Sequence, residues 1–416
     1  MQIYLVGGAV RDALLGLPVQ DRDWLVVGAT PQQMLAQGYL AVGKDFPVFL
    51  HPQTREEYAL ARTERKTAPG YQGFAFHAAP EVTLEQDLAR RDLTINSIAI
   101  PADFVLASGH FDIKNALLID PFGGQADLHA KVLRHTASAF REDPVRLLRL
   151  ARFAARFGDF SIAPETQNLL REMTASGEVD ALVPERVWQE LARGVMEAAP
   201  ARMLTVLDAA GALARLAPEM ASAGAPERFA HSLRALGAAA AQHAALEVRW
   251  ASWLVAGLGA GAAGLASADA LAQRWRVPAD CRDLAQWLMR EHRAVQASPA
   301  LDAAGVVQLL DRADAWRRPE RLRAGLCASE IVAATALADV PAPAPAEAPL
   351  RPRLAPLLLA WAAARGVVTA DVAGLAQRDG LAGPAVAGRI QQARVQAVAG
   401  VWPTGAMPSN PTESRG

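Results

Sequence analysis

The sequence has few of the residues that would place it outside a reducing compartment or inside a membrane. Only two cysteines, Cys281 and Cys327, occur among 416 residues; this suits a reducing compartment and provides no metal-site spacing. No uninterrupted apolar run approaches the roughly 18 residues of a transmembrane helix. The N-terminus, MQIYLVGGAVRD, has neither the charged start nor the long apolar core of a signal peptide. We therefore expect a soluble, cytoplasmic protein with no membrane contact.

Net charge and lysine are also scarce. The formal net charge is -1, so the chain as a whole does not attract polyanions, and any nucleic-acid surface has to be local. Lysine contributes only Lys44, Lys66, Lys114 and Lys131 to the 42 basic residues. The resulting excess of arginine suits bidentate contacts with phosphate, and genome composition alone also produces such a bias.

The length of the chain and its changing patterns predict several domains, about two to four of them. Up to about residue 135, short β-type runs such as IYLVGG, DWLVVG and ALLID alternate with turn signals and short helical patterns. From residue 136 onward, helical patterns such as DPVRLLRLARFAARF dominate. We therefore expect an α+β protein with a small mixed-sheet head followed by a long all-α body. The Pro/Ala-rich stretch 337–349 predicts a linker, and the segment after Trp402 predicts disorder.

The stretch IYLVGGAVRD has the pattern of a strand that runs into a double glycine and then a helix. Gly7 and Gly8 allow backbone N–H groups to approach a ligand closely. The start of the helix and Arg11 both place positive charge at the same point. The pattern predicts a triphosphate cradle, although a tight strand-to-helix turn with a surface arginine has the same pattern.

Two carboxylates, Asp21 and Asp23, begin the apolar strand DRDWLVVG and project from one face of it. About ten residues after a phosphate-type turn, such a pair suits the binding of one or two Mg²⁺ ions. The alternative is a solvated strand start whose acids pair with Arg22 or other arginines. Glu57 and Glu64 are candidates for a third metal carboxylate.

Two shorter motifs carry weaker signals. In LARRDLTINSIAI, Arg91 could reach a phosphate while Asp92 fixes the local geometry; a charged helix start capped by Asp92 is the alternative. In PERVWQEL, Arg186 and Glu190 have the i,i+4 spacing that is typical of a structural ion pair.

Four arginines recur in the stretch FREDPVRLLRLARFAARF at spacings of three, three and four. Arg146, Arg149, Arg152 and Arg156 therefore share one face of the predicted helix. Asp143 and Arg146, one acceptor and one donor fork, could together read the Watson–Crick edge of a base. The alternative is an ordinary capped surface helix.

In order and spacing, GGAVRD, DRD, ARTERK, RRDLTIN, DPFGG and EDPVRLLRLARF resemble the class II CCA-adding enzymes (tRNA nucleotidyltransferases) of the polymerase-β-like nucleotidyltransferase superfamily. The resemblance rests on specific motifs from residue 1 to about 200 and is weaker in the rest of the chain. Within the family, the motifs are most similar to those of the bacterial multifunctional CCA protein subgroup. It implies stepwise transfer of CMP, CMP and AMP from CTP and ATP to the 3′ end of tRNA, without a nucleic-acid template. The partners it implies are ATP, CTP and tRNA, gripped at its acceptor and TΨC arms; we expect a monomer or weak homo-oligomer.

The resemblance also implies roles for individual residues. Asp21 and Asp23 would hold the catalytic Mg²⁺ for a two-metal nucleotidyl transfer. Gly8, Arg11 and Arg91 would bind the phosphates and sugar of the nucleotide. Asp143 and Arg146 would act as the protein template, and Arg149 would support the nucleotide. The corresponding domains are a nucleotidyltransferase head (1–135), a helical nucleotide-recognition or neck domain (136–225), a degenerate HD-like helical domain (226–336), a C-terminal helical tRNA-binding tail (350–402) and a disordered end (403–416).

One stretch departs from the multifunctional subgroup, whose members carry a metal-dependent HD phosphohydrolase domain with a His-Asp pair before an LGKG-like turn. The corresponding stretch here is EVRWASWLVAGLGAG. Small or apolar residues occupy the positions of His, Asp and Lys, namely Val255, Ala256 or Gly257, and Ala260. His231 and His243 remain nearby without carboxylates at a ligand-like spacing. We therefore expect the HD phosphohydrolase activity to be absent and this domain to be a helical scaffold.

Three alternatives remain at the level of the sequence. A bacterial poly(A) polymerase shares the head motifs, and relatives that add only CC or only A share most of the others. A non-catalytic tRNA-binding protein with a decayed head belongs to a different class. The intact aspartate pair argues against that last alternative.

Overall fold

The fold is that of a computed structural model in which residues 1–42, 48–66, 74–105, 116–336 and 354–403 are described. The chain forms two units, Met1–Leu216 and Ala217–Gly416. The expected linker at 337–349 and all but the first residue of the expected disordered end lie outside the described residues. Of residues 64–66 and 74–78 only the backbone is described.

A six-stranded mixed sheet forms the head expected from the short β-type runs. The described strands of the first unit are β1 (Gln2–Val6), β2 (Asp23–Val27), β3 (Leu40–Val42), β4 (Val48–Leu50), β5 (Glu57–Leu60), β6 (Arg62–Lys66), β7 (Phe74–Ala78), β8 (Ala99–Pro101), β9 (Val132–Leu133) and β10 (Ser161–Ile162). The order in the large sheet is β3-β4-β5-β2-β1-β8. Only β2 and β5 run parallel within it; the other pairs are antiparallel. Two-stranded ladders join β6 to β7 and β9 to β10.

The register of the two central strands places the glycine turn beside the aspartate pair. Apolar residues fill both strands, so each lies in the core; Leu5 and Leu25, for example, are buried. In the antiparallel pairing, Val6 at the end of β1 faces Asp23 at the start of β2. Gly7 therefore turns away from the sheet next to the first residue of β2.

Helices form the rest of the first unit. They are α1 (Gly8–Leu14), α2 (Pro31–Ala36), α3 (Leu84–Ala89), α4 (Gly124–Ala130), α5 (Val145–Arg156), α6 (Pro164–Ala175), α7 (Pro184–Met196), α8 (Pro200–Ala209) and α9 (Ala212–Leu216). One face of α5 is apolar, and its residues Leu147, Leu150 and Ala154 are completely buried. Helix α5 packs against α7 and α8, and its arginines lie outside this buried apolar stripe.

The described part of the second unit is entirely helical, so the expected α+β organisation is confirmed. It contains α10 (Pro226–Ala241), α11 (Leu246–Leu258), α12 (Ala262–Arg274), α13 (Ala279–Gln296), α14 (Ala303–Arg312), α15 (Pro319–Ala334), α16 (Ala355–Arg365), α17 (Thr369–Arg378) and α18 (Pro384–Ala399). The central helix α11 packs against α10, α13 and α15 and buries Trp250 and Trp253. Within the described residues no single helix is long and apolar enough to cross a membrane; α16 and α17 meet that criterion only as a bent pair.

The close approach of α13 and α15 gives a stability prediction. A Cβ built on Gly325 would lie 2.0 Å from Cζ3 of Trp287, so Gly325→Ala forces two core helices apart. We expect it to lower the free energy of unfolding by about 1–3 kcal/mol, measured by urea denaturation. Gly237→Ala in α10 is the matched control, because nothing lies within 4 Å of its Cβ position. The control is expected to gain about 0.5–1 kcal/mol from helix propensity. Equal stability of the two variants would contradict this packing.

Candidate nucleotide-binding site

A cavity of about 1030 Å³ opens in the first unit. Every residue to which the resemblance gives a role lines it: Gly8, Arg11, Asp21, Asp23, Arg91, Asp143, Arg146 and Arg149. Ten arginines and six carboxylates contribute to its wall. The excess of fixed positive charge makes the cavity attractive to a polyanion of the size of a nucleoside triphosphate.

Gly7 lies at a tight turn beside two charged side chains of the cavity. Its φ of +74° is a conformation that side chains with a Cβ rarely adopt. A Cβ on this residue would lie 2.9 Å from Nη1 of Arg91 and 3.7 Å from Oδ2 of Asp23. Glycine is thus required both by the turn and by the space that two functional side chains share.

Asp21 and Asp23 are exposed at the rim of this cavity. Asp23 is the first residue of β2, and Asp21 precedes the strand by two positions. Among the described residues no arginine forms an ion pair with either carboxylate. The alternative interpretation, in which these acids pair with Arg22 or other arginines, is therefore not what the structure shows. Two unpaired hard oxygen ligands fit a divalent cation that completes its shell with phosphate oxygens and water.

Neither candidate for a third carboxylate joins the aspartates in a described cluster. Glu57 is exposed on β5 and is the register partner of Asp23, but it does not line the cavity. The side chain of Glu64 lies outside the described residues. No group of three His, Cys, Asp or Glu side chains suited to a metal occurs in the described part of the chain.

Arg11 is buried rather than held in solvent. Its Nε donates to Oδ1 of Asp12 at 2.8 Å and its Nη1 to Oδ1 of Asn96 at 2.6 Å. The guanidinium also lies over the ring of Phe153, 5.2 Å from the centroid. Burial lowers the pKa of Arg11 and the charge of Asp12 opposes that shift. Arg11 thus links α1 to α5 as well as lining the cavity.

Asp92 lines the cavity and organises the wall around it, which agrees with the expectation that it fixes the local geometry of the RRD motif. It accepts hydrogen bonds from the backbone N–H of Leu93, from Nδ2 of Asn96 at 2.9 Å and from Nε of Arg149 at 2.8 Å. Burial alone would raise the pKa of Asp92, but Arg149 and Asn96 outweigh it and hold that pKa well below its ordinary value. Asp92 is therefore a buried, ionised anchor for one arginine of α5.

The four arginines of α5 do share one face, since all of them line the cavity. Three of them meet carboxylates from distant parts of the sequence. The pairs are Arg149 with Asp92 at 2.8 Å, Arg152 with Glu190 at 2.7 Å and Arg156 with Asp12 at 2.9 Å. The arginine face is thus both the surface on which the head docks and one wall of the cavity.

Asp143 and Arg146 stand together at the start of α5. Oδ1 of Asp143 accepts from the backbone N–H of Val145 at 3.0 Å, and Oδ2 lies 3.6 Å from Nη2 of Arg186. Nη1 of Arg146 donates to the carbonyl of Ala139 at 2.7 Å. Asp143 is held by Val145 and Arg186, and Arg146 is held by Ala139. The two side chains therefore keep a fixed spacing at the cavity wall.

Sequence reasoning missed several charged groups that contribute to this site. Asp12 and Asp87 are buried partners of its arginines. Glu197 lines the cavity, and burial raises its pKa although Arg152 and other arginines lower it. The spacings of Asp87 from Arg90 and Arg91 and the adjacency of Arg11 and Asp12 were the available local signals; pairs such as Asp12 with Arg156 join residues too distant in sequence to be predicted.

In the second unit, small or apolar residues that pack in the core occupy the positions that correspond to the His-Asp pair of the HD domain. Val255, Ala256 and Gly257 are buried on α11, and a Cβ on Gly257 would lie 2.5 Å from Cε of Met220. Nε2 of His231 is 3.0 Å from the carbonyl of Val332. His243 is exposed after α10. The absence of phosphohydrolase activity stays a prediction.

A second half-buried histidine in this unit, His292, was not singled out from the sequence. Its Nδ1 lies 2.9 Å from Oγ of Ser329. Burial lowers its pKa to about 4, and repulsion from His231 and Arg293 adds to the shift.

Comparisons with known proteins agree with the motifs. The family model of the Poly A polymerase head domain matches residues 3–134, and that of the probable RNA and SrmB-binding site of polymerase A matches residues 159–223. A multifunctional CCA protein from Variovorax paradoxus is 54% identical, over 96% of this chain and 99% of its own length. One from Azoarcus sp. is 56% identical over 345 residues, 77% of this chain and 81% of its own.

Solved structures with the same fold include two CCA-adding enzymes. That of Bacillus stearothermophilus in complex with CTP is 25% identical, with a TM-score of 0.63 over 96% of this chain and 89% of its own. That of Thermotoga maritima complexed with tRNA is 20% identical, with a TM-score of 0.64 over 96% of this chain and 87% of its own.

The burial of His292 predicts a pH dependence of stability. Its folded-state pKa is depressed, so as the pH falls from 6.5 toward 4 only the unfolded chain binds the proton, and stability falls. We expect a loss of about 1–2 kcal/mol in the free energy of unfolding between pH 7.5 and 5 from this residue. Urea denaturation at both pH values should show that loss reduced in His292→Asn. The control is His243→Asn, an exposed position with a φ of 51° that Asn tolerates; an equal effect of the two variants would contradict the assignment.

Proposed function

This chain belongs to the family of multifunctional CCA proteins, and we propose that it adds the 3′-terminal CCA to tRNA, transferring CMP, CMP and AMP from CTP and ATP. One observation supports this function most directly. Two aspartates without an ion-pair partner among the described residues, a glycine turn and a row of arginines line a single cavity of the first unit. The 3′ hydroxyl of tRNA attacks the α-phosphorus of the bound nucleotide, the bond to the β-phosphate breaks and pyrophosphate leaves.

The family uses a divalent metal, and for this chain we propose Mg²⁺ held by Asp21 and Asp23. Their exposed, unpaired carboxylates beside the space of Gly7 suit a hard cation. Mg²⁺ bound there would neutralise charge on the triphosphate and increase the acidity of the attacking hydroxyl. Arg91, whose Nη1 lies against the same glycine, would bind a phosphate oxygen and orient the nucleotide.

Asp143 and Arg146 supply a fixed acceptor and a fixed donor fork for choosing the base. Cytosine and adenine both present an exocyclic amino donor beside a ring-nitrogen acceptor on their Watson–Crick edge. Guanine and uracil present a carbonyl beside a ring N–H, the reverse order. The carboxylate and the guanidinium can therefore both form hydrogen bonds with C or A. With G or U two polar groups would stay without a hydrogen bond, which costs binding free energy. No nucleic-acid template is needed for this choice.

Roles for the other segments remain proposals. Residues 136–225 would complete nucleotide recognition, 226–336 would form an HD-like scaffold, and 350–402 would bind tRNA, whose acceptor and TΨC arms would be gripped through phosphate and shape. Relatives over the full length are CCA proteins, so the poly(A) polymerase and the non-catalytic binding protein are not favoured. A cytoplasmic location fits an enzyme that uses tRNA, CTP and ATP.

Incubation with tRNA that lacks its 3′ end and with each labelled nucleotide tests this function. We expect two C additions followed by one A; long untemplated A tails would contradict it. Asp23→Asn should lower transfer by about a thousandfold or more, since one metal ligand is lost, while tRNA binding stays near the wild-type level. Asp103→Asn, an exposed acid of the head outside the cavity, is the control and should keep full activity. Comparable activity of the two variants would contradict the metal assignment.

The second unit gives a separate prediction. Because apolar side chains occupy the HD positions, we expect no hydrolysis of 2′,3′-cyclic AMP with Ni²⁺ or Mg²⁺ by protein that is active in CCA addition. Robust hydrolysis that disappears in His231→Ala would show that a metal site survives there.

A further inference from the structure

Asp87 is a buried charge beneath the cavity that no step of the reaction above uses. It lies on α3 and its side chain is completely buried. Thr83 fixes the start of this short helix through a capping box with Gln86, so the backbone that carries Asp87 is held in place. A carboxylate in such a position persists only if its oxygens are satisfied.

The two oxygens of Asp87 serve different arginines. Oδ1 accepts from Nε and Nη2 of Arg90 at 2.9 and 2.8 Å and from the backbone N–H of Arg62 at 3.3 Å. Oδ2 accepts from Nη2 of Arg91 at 3.3 Å. Burial would raise the pKa of Asp87, but Arg90 and Arg91 outweigh it and the pKa is lowered. The carboxylate is therefore ionised beneath the cavity.

The contact with Oδ2 decides the direction of the Arg91 guanidinium. Nη2 is held by Asp87, and Nε is buried without a hydrogen-bond partner among the described residues. Nη1 has no hydrogen bond to any described residue and lies 2.9 Å from the Cβ position of Gly7. Since the guanidinium is planar and rigid, fixing Nη2 on one side aims Nη1 at the space beside Asp23.

We propose that Asp87 is a positioning residue that holds Arg91 in place for the triphosphate of either nucleotide. This proposal rests on the proposed function, in which Arg91 binds a phosphate. Asp87 contacts neither substrate nor metal. It also holds Arg90, a second arginine of the cavity wall, but it is Arg91 that lies beside Gly7, so we assign the effect on the triphosphate to Arg91. Because the hydrogen bonds of Asp87 go to Arg62, Arg90 and Arg91 and not to Asp143 or Arg146, we expect its contribution to be the same for CTP and ATP and the choice of base to be unaltered.

A double-mutant cycle that measures the binding of inorganic tripolyphosphate in the presence of Mg²⁺ by calorimetry tests the proposal. Asp87→Asn should weaken binding by about tenfold, the usual value of one hydrogen bond to a charged group. In an Arg91→Gln background the same change should have almost no further effect, because the group that it positions is gone. Additive effects, or an unchanged dissociation constant in Asp87→Asn, would overturn the proposal.

Asp127→Asn is the matched control. Asp127 is another buried aspartate of the first unit; it accepts from Nε of Arg134 at 3.1 Å and from Oγ1 of Thr94 at 2.7 Å. Its partner Arg134, unlike Arg91, does not line the cavity. Its loss should destabilise the fold and leave tripolyphosphate binding unchanged. If Asp87→Asn does not fold, Asp87→Glu takes its place: it displaces the carboxylate by one methylene and should weaken binding at least about threefold, again only when Arg91 is present.

Kinetics with tRNA separate this proposal from the proposed function. In Asp87→Asn the kcat/KM values for CTP and ATP should fall by the same factor, with an unchanged KM for tRNA. Unequal losses for the two nucleotides would overturn the positioning role. If the wild-type protein fails to extend tRNA, the proposed function is wrong, while the tripolyphosphate cycle still decides whether Asp87 positions Arg91.

Discussion

The pairing of arginines with carboxylates in the first unit is the interaction on which the site depends. Burying either charge alone is costly, so each member fixes the place of the other. Arg149 with Asp92 and Arg156 with Asp12 join α5 to the head. Together with the contact between Arg11 and Phe153, these pairs hold α5 against the part of the head that carries the aspartates. The same arginine face that docks the head therefore also forms a wall of the cavity.

Local patterns in the sequence predicted the main elements, and the residues that they singled out line one cavity; the individual roles are those that the resemblance implies. The strand, double glycine and helix of GGAVRD require a turn with positive φ, and Gly7 has one. Asp21 and Asp23 reach the same cavity because the register of two apolar strands leaves Val6 opposite Asp23. The spacing of the α5 arginines fixed their common face. Each of these inferences depends on residues that are close in the chain or on strand periodicity.

The carboxylate partners of the arginines could not be predicted in this way. Asp12 and Arg156 are 144 positions apart, and no local pattern announces such a pair. Arg11 shows the consequence: its sequence context suggests an available cation, whereas the fold buries it among Asp12, Asn96 and Phe153. In the second unit, the half-buried position of His292 could not be predicted either, because it arises from the packing of α13 against α15.

The distribution of partners among the acids of the cavity separates structural from chemical roles. Asp12, Asp92, Asp143 and Glu197 each lie beside an arginine. Asp21 and Asp23 have no such partner among the described residues, although ten arginines line the same wall. In a cavity with excess positive charge, two carboxylates remain unpaired only if the fold keeps arginines away from them. Gly7 and Asp87 do this together, because Arg91 is held at the space beside Asp23 without closing on it. The aspartates thus remain available to a metal ion while the nearest arginine remains available to phosphate.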